Sequence, residues 1–347
     1  MIEAFAERIR EAAARGSGLR LRGGGSKDFY GNVLRGEILD TRGHAGIVAY
    51  EPTELVVTAR CGTALGDLEA QLSANNQMLA FEPPHFGAEA TVGGCVAAGL
   101  SGPRRAAAGA LRDFVLGLKL VDGRGELLSF GGQVMKNVAG YDVSRLVAGS
   151  LGTLGLIAEV SLKLAPRPQA EATLRLEMPQ ARALEAMNRW AGQPLPISAT
   201  AWHDGELTVR LSGSAAGVRA AAAKVGGAAV DAAFWTGIRE QSDAFFSGPE
   251  PLWRISVPST STPLDLAGDP LIEWGGGLRW LKSGENPQSI RDAAKRCTGH
   301  ATLFRAADKS AGCFAPLEPV LARLHRELKS AFDPAGIFNP GRLYPEL

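Results

Sequence analysis

An α+β fold in two lobes is the class that this sequence of 347 residues predicts, and three observations point to it. Composition divides near APRPQAEA, Ala165 to Ala172: all six tryptophans (Trp190, Trp202, Trp235, Trp253, Trp274, Trp280) follow it, while 26 of the 43 glycines precede it. Before the division, short strand-like runs (LRLR, GIVAYEP, ELVVTARCG, LGLKLVD, ELLSF, GLIAEVSLKLA) are separated by turns, among them the Asp122-Gly123 pair. After it, strands such as EATLRLEM and GELTVRLSG alternate with helical stretches QARALEAMNRWAG and SAAGVRAAAAKVGG, as expected of an antiparallel sheet covered by helices.

The N-terminal MIEAFAERIREAAARG places Ile2, Phe5 and Ile9 on one helical face between charges, and lacks the continuous apolar core of a signal peptide. A second helix is expected over Thr63 to Ala74, where Leu65, Leu68 and Leu72 share a face. No segment reaches the roughly 20 apolar residues of a transmembrane helix, so a cytoplasmic protein is expected. Lys and Arg number 37 against 36 Asp and Glu, and no basic run suggests a nucleic-acid partner. Cys61, Cys95, Cys297 and Cys313 form no C-x-x-C pair, which leaves reduced structural thiols and no metal site. The G-x-G-x-x-G fingerprint, a Gly-Lys phosphate loop, G-x-S-x-G and H-E-x-x-H are all absent, which argues against a Rossmann enzyme, a P-loop NTPase and a simple hydrolase.

Three glycine-rich segments remain in the first lobe. RGGGSKD (Arg22 to Asp28) sets Gly23, Gly24 and Gly25 directly after a strand and follows them with Ser26 and Lys27. It reads either as a mobile hairpin tip or as a loop whose N–H groups converge on an anion. ATVGGCVAAGLSGP (Ala90 to Pro103) carries Thr91, Val92, Gly93, Gly94, Ala97, Ala98, Gly99, Ser101 and Gly102, many donors with little side-chain bulk. It could pack as a turn against a sheet or receive a long, thin, doubly charged ligand. GSLGTLGLIAEV places Gly149, Ser150, Gly152, Thr153, Gly155 and Ile157 at a strand entry, where a tight turn is the competing reading.

In this order the three segments resemble the flavin-binding domain of the vanillyl-alcohol oxidase and p-cresol methylhydroxylase family. There an R-G-G-G loop and a T-[IV]-G-G turn hold the FAD pyrophosphate, and G-S-x-G-T-L-G borders the adenosine and ribityl parts. Two further stretches, KNVAGYDVSRLVAGSLGTLG (Lys136 to Gly155) and FDPAGIFNPGRLYP (Phe332 to Pro345), resemble the branch that oxidises D-2-hydroxy acids. The resemblance makes Asn339 a candidate flavin contact; its competing role is to end the helix of Val320, Leu324 and Leu328 before Pro340. GLSGPRRAAAGALRDFVLG, LWRISVP and LIEWGGGLRWL extend the resemblance to the FAD-binding subunits of bacterial glycolate oxidases.

What the resemblance implies is an FAD-binding domain over 1–168, a second α+β lobe over 169–330, and a segment 331–347 that returns to the flavin domain. It implies a hetero-oligomer with a larger homologous FAD subunit and an iron–sulfur subunit, acting on a small 2-hydroxy acid and touching a membrane only through partners. Ser26 stands where covalent FAD binders carry histidine, so noncovalent FAD is expected. The H-x-G-D-G-N-x-H stretch that grips the hydroxy acid in the related dehydrogenases is missing, and His44, His85, His203, His300 and His325 are scattered. No catalytic residue is therefore assigned; His85 alone lies beside a glycine segment. Arg254 and Arg279 are candidates for a substrate carboxylate or a subunit surface, or are structural arginines stacked on Trp253 and Trp280. Two functions stand, a subunit whose FAD is reduced by the hydroxy acid and an accessory flavoprotein that relays electrons or stabilises the complex, with a degenerate scaffold that binds no flavin as the remaining alternative.

Overall fold

The computed structural model describes residues 1–132 and 142–347, so Lys136 to Tyr141 of the KNVAGYDVS stretch lie outside the described residues. The chain divides into two compact units. The first comprises Met1–Leu100, Ala110–Pro166 and Pro316–Leu347, and the second Ser101–Gly109 and Arg167–Ala315.

In the first unit a five-stranded antiparallel sheet runs in the order Ile47–Glu51, Val56–Arg60, Leu156–Lys163, Val115–Val121, Leu127–Gly131. Its central strand Leu156–Lys163 is buried at all but its last residue, including Glu159, whose carboxylate lies 2.9 Å from Lys119 on the neighbouring strand. A buried carboxylate needs such a partner. At the expected Asp122-Gly123 turn, the Asp122 carboxylate accepts from the amides of Arg124 and Glu126, both at 2.9 Å, which closes the hairpin.

The helix Ile2–Arg15 buries Phe5, Ala6, Ile9 and Ala12, the i, i+3/i+4 stripe that its sequence carries, and stops at Gly16 in the left-handed conformation. This stripe packs with Leu19, Val121 and Leu156 and with Ile337 and Phe338 of the C-terminal segment. Leu65–Ala74 is the second helix, with Leu65, Leu68 and Leu72 fully buried. LRLR forms the strand Leu19–Arg22, but its partner is the parallel strand Glu37–Asp40, which the sequence pattern did not announce.

Two expectations about local structure change. Val92–Ala98, expected as a turn or a bare surface, is a helix capped by Thr91, whose Oγ1 accepts from the Gly94 amide at 3.2 Å. Its glycines are tolerated because tertiary packing outweighs their low helix propensity. The C-terminal helix Pro319–Phe332 stops at Asp333, so Asn339 does not end it; Val320 and Leu324 are exposed on it.

The second unit is an eight-stranded antiparallel sheet in the order Ala228–Ala229, Ala170–Glu177, Glu206–Gly213, Ile197–His203, Asp269–Glu273, Leu278–Lys282, Leu252–Ser256, His300–Arg305. Helices Gln180–Ala191 and Ala215–Val225 bury Ala183, Met187, Trp190, Val218 and Ala221 against Leu207, Val209 and Leu211. That matches the helix-covered sheet read from the alternating pattern.

Candidate functional site

The first glycine loop leaves the strand Leu19–Arg22 and turns at Gly25, whose φ of 73° favours glycine. A Cβ at Gly24 would stand 1.4 Å from the Glu89 carbonyl oxygen, and one at Gly23 2.2 Å from Thr91 Oγ1. The glycines are thus required by close approach to the residues that precede the Val92–Ala98 helix. The main-chain N–H groups of Gly23, Gly24, Gly25 and Ser26 have no acceptor among the described residues, while the next turns close through Asp28 N to Gly25 O and Tyr30 N to Lys27 O, both 3.0 Å.

The second segment behaves differently. Val92 N donates to Thr63 O at 2.9 Å, Gly93 N to Cys61 O at 2.8 Å and Gly94 N to the Thr91 hydroxyl, so the first turn of this helix is already satisfied. Its glycines serve packing: a Cβ at Gly93 would lie 2.6 Å from Cys61 Cβ, and one at Gly99 2.7 Å from the Gly149 Cα. The third segment abuts it there, with Gly149 N on Val96 O (3.0 Å) and Leu151 N on Ala97 O (2.8 Å).

These loops line two adjoining open grooves that share Leu21, Arg22, Gly23, Gly94, Ala97, Leu151 and Asn339 as walls. The larger adds Gly24, Gly25, Ser26, Lys27, Asp28, Leu34, Thr91, Ala98 and Arg342. The smaller adds Thr41, Cys61, Gly93, Gly152, Gly155, Leu156 and Ile157. Most of the expected cofactor residues therefore converge. Val92, Gly99, Gly149, Ser150 and Thr153 line neither groove, and Gly102 belongs to the second unit, where its carbonyl accepts from Trp274 Nε1 at 3.1 Å.

Of the charged groups lining the larger groove, Arg22, Lys27 and Arg342 are cationic and Asp28 is the one carboxylate. Arg22 Nε donates to Asp28 at 3.0 Å, and Arg20 also pairs with it. The Lys27 ammonium is turned toward the His85 carbonyl (3.1 Å) and the Phe86 ring, and Ser26 Oγ lies 3.3 Å from it. His85 itself holds Glu69 at 2.9 Å. Burial pushes the Cys61 thiol up to about 12, so this wall of the smaller groove is a neutral thiol and no nucleophile.

A run of unpartnered amides, a surplus of positive charge and a cradle that a Cβ would fill fit a diphosphate. The groove therefore fits the pyrophosphate of FAD: its free amides lie at Gly23 to Ser26, and the apolar Leu151, Leu156 and Ile157 line the rest of it.

Asn339 lies at the groove with a left-handed φ of 40°, but its polar groups serve the protein: Oδ1 accepts from Leu21 N at 2.8 Å and Nδ2 donates to Leu151 O at 2.6 Å. In the second unit Arg279 is buried and donates to the carbonyls of Gly276 (3.2 Å), Thr262 (2.6 Å) and Ser261, and burial lowers its pKa. Arg254 lies 5.2 Å from the centroid of Trp274, not of Trp253 or Trp280, and Arg105 lies 4.4 Å from the same ring. Both candidate arginines thus have the geometry of structural residues. Sequence reasoning missed Arg342, Thr41 and Leu34; an arginine 315 residues from its loop carries no local signal.

Residues 2–131 match the family described as FAD binding domain, and residues 314–343 the C-terminal domain of FAD linked oxidases. Glycolate oxidase subunit GlcE of Escherichia coli is 50% identical over 99% of this chain and 98% of its own. Glycolate oxidase subunit GlcD of Bacillus subtilis is 32% identical over 46% of this chain and 33% of its own. Among solved structures, an alkyldihydroxyacetonephosphate synthase matches with a TM-score of 0.67 at 15% identity, over 97% of this chain and 75% of that one, a likeness of fold.

Proposed function

We infer the function from one premise: the chain belongs to the family of FAD-linked oxidases that includes glycolate oxidase subunit GlcE. FAD is the cofactor, and the chain is an FAD-dependent oxidoreductase subunit. Our reading is that it serves in the oxidation of glycolate to glyoxylate within a complex, beside a larger homologous FAD subunit and an iron–sulfur subunit that takes the electrons onward. The full-length likeness to a protein called a subunit carries this reading. Noncovalent binding is part of it, since Ser26 offers no nitrogen for a flavin bond.

When bound, FAD supplies the redox step, accepting the electrons of the hydroxy acid's C–H bond. The chain supplies the rest. The amides of Gly23 to Ser26 would hold the diphosphate by hydrogen bonds, Arg22 and Arg342 would supply positive charge, and buried Leu156 and Ile157 would exclude water from the inner groove. Hydroxy-acid oxidation also requires a group to take the hydroxyl proton. His85, held by Glu69 in the first unit, is the one histidine beside the glycine loop, and its backbone carbonyl is engaged by Lys27.

The second reading, an electron-relay or stabilising subunit with no oxidation of its own, is favoured by the missing H-x-G-D-G-N-x-H stretch. Anaerobic stopped-flow mixing with glycolate separates the two. We expect the flavin of the lone protein to bleach slowly or not at all, and fast bleaching to return when both partner subunits are added. Rapid, complete bleaching of the lone protein would make it a self-sufficient dehydrogenase. A colourless protein that takes up no FAD would overturn both. Acid precipitation should leave the yellow colour in the supernatant.

A further inference from the structure

Among the described residues the amides of Gly23 to Ser26 have no acceptor, and inside the loop only the turn from Asp28 N to Gly25 O and the Arg22–Asp28 and Lys27–Ser26 contacts restrain them, yet a diphosphate cradle works only if it is preorganised. What fixes it comes from the far end of the chain. Arg342, 5% exposed, donates through Nη2 to the carbonyls of Asp28 (2.9 Å) and Lys27 (3.3 Å), and through Nη1 to that of Asn32. Asn32 answers with Nδ2 bonds to Gly341 O (3.1 Å) and Leu343 O (3.0 Å). On the other side of the free amides, Asn339 accepts from Leu21 N and donates to Leu151 O, tying the first loop to the third. Lys329, buried beside Asp333 at 2.6 Å, donates to Thr153 O and Phe338 O, both at 2.8 Å, and so anchors the third loop to the same arm.

We propose that Arg342 is a positioning residue for FAD: with Asn339 and Lys329 it forms a clasp that holds the first glycine loop open at both of its ends. The planar guanidinium reaches its three carbonyls from two separate nitrogens held in one plane, a spread that the single nitrogen of an ammonium does not reproduce. Removing it leaves the carbonyls of Lys27, Asp28 and Asn32 without this donor and lets the loop relax toward conformations in which its amides no longer converge. The entropy of ordering a triple glycine then falls on the binding event itself.

The test uses the full chain purified with its flavin. Release of FAD on dilution is followed by recovery of free flavin fluorescence, and amide hydrogen exchange is measured on the same samples. Arg342→Gln should speed FAD release on the order of tenfold to a hundredfold, the effect of losing hydrogen bonds from a charged donor. Exchange should rise over residues 19–32 while the Val92–Ala98 helix and the second unit stay unchanged. Arg342→Lys should behave like the glutamine variant rather than the wild type, and carries the measurement alone if the glutamine variant fails to fold. FAD release within twofold of wild type would overturn the proposal. So would accelerated exchange spread over the whole first unit, which marks a residue that only stabilises the fold.

Discussion

Two glycine-rich stretches of the same unit look alike in sequence and are used in opposite ways. In RGGGSKD four consecutive N–H groups have no acceptor among the described residues, beside a groove with a surplus of positive charge. In TVGGCVAAG the amides of Val92, Gly93 and Gly94 are all engaged, and the missing side chains let the helix sit on Cys61 and on Gly149. A count of glycines cannot distinguish a donor surface from a packing surface. The fate of each N–H does, because a buried amide must find a partner in the protein or in a ligand.

The largest expected effect follows from the first of these. Gly24→Val forces a Cβ into the Glu89 carbonyl and displaces the loop, and the loss of even two charge-assisted bonds weakens FAD binding by roughly a hundredfold. The purified protein should be colourless. Since all six tryptophans lie in the second unit, their emission should be unchanged, and a yellow Gly24→Val protein would reduce the first loop to a turn.

Gly93→Val should act through stability instead. Its side chain meets Cys61, an overpacking that costs about 1–3 kcal/mol. Thermal unfolding of the first unit should shift downward, with flavin lost in step with unfolding. Flavin loss at an unchanged midpoint would mean that this helix also donates to the ligand, and the contrast would collapse.

Smaller again is Thr91→Ala, which removes the cap of the Val92–Ala98 helix at about 1 kcal/mol. The urea midpoint should fall while the affinity of the folded protein for FAD changes little.

The smallest effect is one of pH. His44 is 7% exposed, its Nε2 has no hydrogen-bond partner among the described residues, and burial lowers its pKa below the usual 6.5; nearby Arg60 lowers it further while Glu159 opposes. As pH falls through 6.5 the unfolded chain takes up the proton first, so stability should be lost on the acid side of 6.5 and be restored above it. The His44 carbonyl accepts from Gly62 N, next to the Cys61 on which Gly93 packs, so the acid effect should loosen the packing stretch before the donor loop. His44→Gln should flatten the pH dependence of the urea midpoint between pH 5 and 7; an unaltered slope would exclude His44 as its source.

The two arginines that the sequence left open between carboxylate recognition, a subunit surface and a structural role illustrate the same difficulty one level up. Arg254 and Arg279 stand beside tryptophans in sequence, but it is Trp274 that carries Arg254, and Arg279 holds the loop of Ser261 and Thr262. Arg342, in a segment singled out for Asn339, proves the better placed cation for the groove.

The sequence by itself determined the elements whose information is local. The amphipathic stripe of Phe5, Ile9 and Ala12, the leucines of Leu65–Ala74, the Asp122-Gly123 hairpin and the alternating strands of the second lobe each follow from side-chain period and turn chemistry. The ordered triplet of glycine motifs also carried the resemblance to the FAD family, although only the first of them leaves its amides free and the second serves packing. Only the tertiary structure decided which glycine N–H groups stay free, that TVGGCVAA winds into a helix, and that Arg342, Asn339 and Lys329 reach back to loops one and three. Those outcomes depend on contacts between residues some 180 to 320 apart, such as Lys329 with Thr153 and Asn339 with Leu21. No local pattern encodes them, since the free energy that fixes each loop comes from hydrogen bonds formed only after the distant segments have packed.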